Sequence, residues 1–207
     1  MSISFVDLII KNAEIVTFHQ DQNRMVRQKT NVSIKNSKIV DISDGTNIKA
    51  AKTLDLTGLT LLPGIIDSQV HFREPGLTHK EDLESGTRAA VLGGVTSVFE
   101  MPNTSPSTTT KEDFEIKLNL AKLRAHCNYA FFIGGSSDNF DKLAELEQLP
   151  HCPGVKIFLG ASFGSLLVDD DIIFENIVKN GKHRLTIHSE DEKRLVERKK
   201  IAIDAAH

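Results

Sequence analysis

From residue 61 to the end of the 207-residue chain, short apolar runs alternate with segments of helical period, and this rhythm constrains the fold more than any other feature. It specifies repeated β-strand and α-helix units around a parallel sheet. The strands read as Leu61–Asp67, Thr96–Met101, Asn128–Ile133, Val155–Leu159 and Arg184–His188. The helices read as about Lys80–Leu92, Lys111–Ala125, Phe140–Gln148 and Asp170–Lys179, with a last one from Glu190 to the end. Gly93-Gly94 stops the first helix, because glycine past the last turn accepts positive φ. The expectation is an α/β fold with five βα units.

Before residue 61 the texture differs. Asp7–Ile10, Ile15–Thr17, Val32–Ile34, Lys38–Ile42 and Thr53–Leu56 are short and rich in β-branched residues, with Asn36-Ser37 and Asp44–Asn47 as turn material. They read as small antiparallel strands. Two domains are therefore expected, residues 1–60 and 61–207.

Composition removes several classes of function. Lys plus Arg is 25 and Asp plus Glu is 28, a net charge of −3, so no overall positive field collects phosphates and nucleic acid is excluded as a partner. The basic cluster Lys193, Arg194, Arg198, Lys199 and Lys200 is interleaved with Glu190, Asp191, Glu192 and Glu197 and reads as a solvated helix face. Cys127 and Cys152 are too few for a disulfide framework, and their pairing with His126 and His151 matches no short-loop zinc spacing. The first residues lack the pattern of a secretory leader, and the longest uncharged stretch, Leu56–Ile66, falls well below the roughly 20 residues of a membrane span. A cytoplasmic protein with no membrane partner is expected.

Polar residues gather at one end of the βα units. Asp67, Gln69 and His71 lie at or after the first strand, Asn103 follows the second, Lys156 interrupts Val155-Lys156-Ile157-Phe158-Leu159, and His188 closes the fifth. Sites in βα folds form at the C-terminal ends of strands, so these residues are expected to share a pocket. A buried ammonium is costly without a partner, which makes Lys156 the hardest to read as structural; an edge-strand or outward-snorkelling lysine is the alternative.

At these residues the chain resembles the dihydroorotases of the amidohydrolase superfamily. The run Leu62-Pro63-Gly64-Ile65-Ile66-Asp67-Ser68-Gln69-Val70-His71-Phe72-Arg73-Glu74-Pro75-Gly76 is similar to their metal-binding signature. Lys80-Glu81-Asp82 with Gly93-Gly94-Val95-Thr96, then Glu100-Met101-Pro102-Asn103-Thr104, then Gly154–Gly160 and His188–Glu192 agree in order and spacing. Arg73 favours dihydroorotase over the similar allantoinases and dihydropyrimidinases. The resemblance implies a (β/α)8 TIM-type barrel, here with about five units, preceded by part of a small β-sandwich. It also implies interconversion of dihydroorotate and N-carbamoyl-aspartate in pyrimidine biosynthesis, with two zinc ions sharing a hydroxide. On that pattern His71 and His188 would ligate metal, a carboxylated Lys156 would bridge the two ions, and Arg73 with Asn103 would hold the substrate carboxylate.

The pattern also departs from the family. Gln69 stands where the family has a histidine, and an amide oxygen is a poor zinc ligand. The family's strand-six histidine and strand-eight aspartate have no counterpart before His207. Five strands do not close an eight-strand barrel, so a second copy or another protein covering the open edges is expected. An impaired or inactive hydrolase is the leading expectation. The alternatives are a non-catalytic homologue that binds a partner and a decaying gene fragment.

Overall fold

A computed structural model describes residues 5–44, 48–160 and 166–204. The chain divides into two compact units, Met1–Pro63 and Gly64–His207.

In the first unit, β1 (Phe5–His19), β2 (Arg24–Lys35), β3 (Lys38–Ser43) and β4 (Lys49–Asp55) form one sheet in the order β3-β2-β1-β4, and β5 (Thr60–Leu61) pairs with β1. The expected runs Asp7–Ile10 and Ile15–Thr17 belong to one strand, β1. Its register shifts between Ile10 and Ala13, where Asn12 takes φ +60 and its N–H donates to Asn31 Oδ1 at 3.2 Å. Asn36 and Ser37, at φ +50 and +60, make the two-residue turn from β2 to β3. Positive φ at both central positions matches the right-handed twist of the flanking strands. The all-antiparallel expectation is corrected: β4 and β5 run parallel to β1. With β2 occupying one edge of β1, the chain reaches the other edge by a crossover, which delivers the strand in the parallel sense. Ala13, Ile15 and Val32 form this unit's small core, with Ile10, Ile34, Leu56 and Leu61 against it.

The second unit contains β6 (Ile65–Val70), α1 (Leu83–Leu92), β7 (Val95–Glu100), α2 (Lys111–Arg124), β8 (Asn128–Phe131), β9 (Ile133–Gly134), α3 (Leu143–Leu146), β10 (Gly154–Phe158), α4 (Asp171–Asn180), β11 (Arg184–His188) and α5 (Glu192–Asp204). Its sheets, β6-β7-β8 and β9-β10-β11, are parallel throughout and keep chain order. The expected strand Leu61–Asp67 is corrected to Ile65–Val70. Pro63 has no N–H for a ladder, and Leu61 instead pairs with Ile15 of β1. The expected strand Asn128–Ile133 is divided at Phe132, whose N–H donates to the Glu100 carbonyl at 3.0 Å.

Local chemistry sets the helix ends. α1 begins at Leu83 rather than Lys80 because Asp82 caps it, accepting the Ser85 N–H at 2.8 Å. Thr110 and Asp170 cap α2 and α4 in the same way. The expected helix Phe140–Gln148 is a 3-10 turn, Phe140–Lys142, followed by the single turn of α3. The core joins Leu83 of α1, Phe114 of α2 and Ile177 of α4 to Val98, Phe131, Ile133, Val155 and Ile157 on the strands. α5 buries none of its residues, so its charge-rich sequence is a solvated surface as expected. Among the described residues no helix is long and apolar enough to cross a membrane.

Candidate functional site

The polar residues singled out above lie at or just beyond the C-terminal ends of β6, β7 and β11 and, for Lys156, within β10. His71 immediately follows β6, and its Nδ1 lies 2.8 Å from Asn103 Oδ1, just beyond β7. The amide oxygen only accepts, so Nδ1–H donates and the lone pair resides on Nε2. Among the described residues the Asn103 NH2 makes no hydrogen bond. Burial holds the His71 imidazole below its ordinary pKa against the Asn103 bond, and the nearby charges of Arg73, Lys156 and His188 push the same way. One imidazole thus senses all four of the other expected site residues, Asn103 by its hydrogen bond and the other three by charge. The structure brings His71, Arg73, Asn103, Lys156 and His188 into one neighbourhood.

Arg73 occupies φ +65, a left-handed backbone that side chains adopt at a cost of about 1–2 kcal/mol. Among the described residues its guanidinium has no hydrogen-bond or ion-pair partner. Its loop is held from behind. Glu74, 4% exposed, accepts the Leu83 N–H at 2.8 Å and pairs with Arg124, which also reaches Asp82 at 3.2 Å. Ahead of it, the Ser105 N–H donates to the Pro75 carbonyl at 3.1 Å. Gly76, at φ +88, comes so close that a Cβ there would lie 2.0 Å from the Ser105 carbonyl oxygen. The Arg73 loop and the Asn103 loop therefore dock backbone to backbone.

Lys156 lies at the centre of β10, between Gly134 of β9 and Thr186 of β11, and is 1% exposed. The edge-strand alternative is thereby removed. Its Nζ sits 4.9 Å from the centre of the Phe158 ring and, among the described residues, has no ion pair. Burial lowers its pKa, so the neutral amine is favoured more than for a surface lysine. His188 closes β11, stacks on Phe158 at 5.8 Å, and its Nε2 is 3.2 Å from Glu190 Oε1. The sequence reading places Glu190 in a charged helix face and in the His188–Glu192 motif, with no role against His188. The signal was its place two residues after a strand-end histidine, the reach of a side chain turning back on its own strand.

Other expectations fall differently. Asp67 and Gln69 lie on β6 but are exposed, and Asp67 Oδ1 accepts the Gln69 N–H at 3.0 Å. A cavity of about 360 Å³ opens beyond the ends of β10 and β11, lined by Leu159, Val168, Asp170, Phe174, Glu190 and Lys193. None of His71, Arg73, Asn103, Lys156 and His188 lines it, so this cavity is not the shared pocket expected of those residues. Cys127 and Cys152 are free thiols, each with its pKa pushed up by burial.

Zinc is tested by the same geometry. Among the described residues no three His, Cys, Asp or Glu side chains converge where a metal ion could sit. His71 offers a lone pair, His188 is engaged by Glu190, and Lys156 is an amine. These residues, as they stand, do not fit a zinc site.

The fold first places the protein in a class. L-hydantoinase (dihydropyrimidinase) from Arthrobacter aurescens superposes with a TM-score of 0.85 at 25% identity, covering 97% of this chain and 44% of that one. It is one of the amidohydrolases of TIM-barrel type. Sequence narrows the class. Residues 58–147 match the family model described as dihydro-orotase-like. The dihydroorotase of Methanosarcina acetivorans is 36% identical over 194 residues, 92% of this chain and 40% of that protein. The multifunctional protein CAD of Squalus acanthias is 44% identical over 134 residues, 64% of this chain and 6% of that protein. An allantoinase of Salmonella choleraesuis is 38% identical over 167 residues, 80% of this chain and 35% of that protein. The chain belongs with the dihydroorotase-like amidohydrolases, and it spans less than half the length of each of these relatives.

Proposed function

We propose that the chain supplies the strand-one to strand-five part of a dihydroorotase-like site and takes dihydroorotate or N-carbamoyl-aspartate as its ligand. In this reading the second unit is an incomplete (β/α)8 barrel and the first is part of a β-sandwich. The observation that carries it is the His71–Asn103 hydrogen bond beside Arg73, whose guanidinium has no partner among the described residues. The Asn103 oxygen is taken up by His71, which leaves its NH2 as a donor, and an amide NH2 together with a guanidinium suits a carboxylate.

Catalysis by this chain alone is weak or absent in this reading, because the residues present do not assemble a zinc site and Gln69 replaces a histidine. Lys156, buried and without an ion pair among the described residues, is suited to take up carbon dioxide as a carbamate, its nitrogen bonding to carbon while a proton leaves to solvent. The free thiols accord with a cytoplasmic location. Calorimetric titration of the purified chain with N-carbamoyl-L-aspartate tests ligand binding, and ring closure with and without added zinc tests turnover. Binding without turnover supports this reading, and no binding overturns it. Turnover above background would overturn the inactive assignment while keeping the ligand.

A second reading, a binding partner of another polypeptide, is favoured by the sheet edges. β6 and β11 each have one strand neighbour, and Ile65, Ile66 and Ile187 are 55%, 61% and 40% exposed there. Light scattering of the chain alone checks for a homo-oligomer. A strictly monomeric chain that also fails to co-purify with a partner sinks this reading.

A further inference from the structure

Two cations of α2 reach across to the strand layer and its loops. Lys117, fully buried midway along the helix, has its Nζ 3.0 Å from Glu100 Oε2 and donates to the Met101 carbonyl at 3.0 Å. Arg124, the last residue of α2, pairs instead with Glu74 and Asp82, and the ligand reading gives it no task. Glu74 is bonded directly to Arg73 and is buried, with both carboxylate oxygens taken. Oε1 accepts from Arg124 Nη1, and Oε2 accepts the N–H of Leu83, the first residue of α1, at 2.8 Å. Arg124 Nη2 donates at 3.2 Å to Asp82, which caps that same helix. One guanidinium thus ties the residue after Arg73 to the start of α1 and the end of α2.

The bend next to this clamp is one that needs support. Arg73 lies at φ +65, and its carbonyl accepts the Leu77 N–H at 3.0 Å, closing a turn over residues 73–77. A residue with a side chain keeps such a backbone only where its surroundings over-determine it. A planar guanidinium suits the task, because it offers donors in fixed directions to two carboxylates where an ammonium offers a point charge. A buried carboxylate that loses its cation is strongly unfavourable. Loss of Arg124 therefore draws the Glu74 side chain, and the peptide it shares with Arg73, out of place. Arg124 itself is 36% exposed along its side chain, so replacing it opens no cavity in the core.

We propose that Arg124 is a positioning residue: by clamping Glu74 it fixes the left-handed backbone of Arg73, and with it the guanidinium offered to a ligand carboxylate. The proposal rests on the reading of Arg73 as a carboxylate-binding residue. In the full chain carrying Arg124→Met, amide hydrogen exchange at Leu77, which donates to the Arg73 carbonyl, is expected to accelerate by about tenfold or more, the value of a lost hydrogen bond to a charged group, while exchange in β10 is unchanged. N-carbamoyl-L-aspartate is expected to bind about tenfold more weakly, for the same loss. In an Arg73→Gly background Arg124→Met is expected to cost no further affinity, because its effect on binding travels through Arg73. Unchanged exchange at Leu77 overturns the proposal, and so does an equal loss of affinity in the Arg73→Gly background. Should Arg124→Met not fold, Arg124→Lys keeps the charge without the fork, and Leu77 exchange no faster than wild type overturns it equally. If wild-type protein does not bind N-carbamoyl-L-aspartate, the ligand reading fails, and the Leu77 exchange still decides the positioning role.

Discussion

Gly76 and Ser105 touch through their backbones: a Cβ built on Gly76 would lie 2.0 Å from the Ser105 carbonyl oxygen. Neither atom belongs to a flexible side chain that could swing away. Gly76→Ala also meets the strain of φ +88. The expected loss of stability is about 2 kcal/mol or more, read from urea unfolding, because the left-handed backbone and the clash act together. An unchanged midpoint would show that the two loops are not docked.

Gly86 sits on α1 with a would-be Cβ 2.3 Å from Cδ1 of Phe72. Two effects oppose each other in Gly86→Ala. Alanine improves helix propensity by about 1 kcal/mol, while overpacking a buried ring costs about 1–3 kcal/mol. Phe72 is 8% exposed and lies between His71 and Arg73, so it has little room and the clash wins. Net destabilisation in thermal unfolding, with chemical-shift changes at His71, is expected.

Arg73→Gly is expected to move stability and binding in opposite directions. Glycine accepts φ +65, and the guanidinium it deletes has no partner among the described residues, so stability rises by about 1 kcal/mol. Affinity for N-carbamoyl-L-aspartate falls by about a hundredfold, the loss of a two-pronged charged contact. Paired unfolding and calorimetry on one preparation check both signs.

Lys156→Met replaces a buried ammonium with an apolar chain of similar length. The lysine makes no ion pair among the described residues, so the substitution is expected to stabilise by about 1 kcal/mol or more. A lower thermal midpoint would reveal a partner for the amine. Intact-mass measurement under carbon dioxide would show whether that partner is a carbamate.

Asp82 contributes a pH dependence. Its carboxyl is held below the ordinary 3.8, first by the Ser85 N–H, with the Ser85 hydroxyl and Arg124 acting the same way. A depressed folded-state pKa stabilises above the unfolded value and is lost as pH falls through the folded one. Stability should therefore decline with acidification below about pH 4, and Asp82→Asn should flatten that limb. Asp82→Ala removes the cap as well and costs about 1 kcal/mol at neutral pH, measured by denaturant unfolding.

The strands of the second unit and the gathering of His71, Asn103, Lys156 and His188 at one end of them were legible because apolar runs and polar interruptions are local signals, whereas Arg73 came from the family resemblance alone. Lys117 was not. It sits with Phe114 and Ala121 on the buried face of α2, but Lys111, Lys122 and Arg124 disguise it as one of several surface cations. Its partner Glu100 ends an apolar run, which was the available clue. Pairing across long separations was also hidden. Nothing near Thr53 tells that it lies parallel to Ile9, since the direction follows from which edge of β1 is open.

β1 has a further consequence for how its sheet assembles. Its hairpin with β2, and that of β2 with β3, close over short stretches of chain, whereas Leu8 meets Lys52 only after the intervening strands are made. Closing the longer loop costs more chain entropy and waits for a template. The hairpins should therefore form early and the parallel strands late, so that β4 and β5 are the portion of this unit most exposed to proteolysis while the chain is folding.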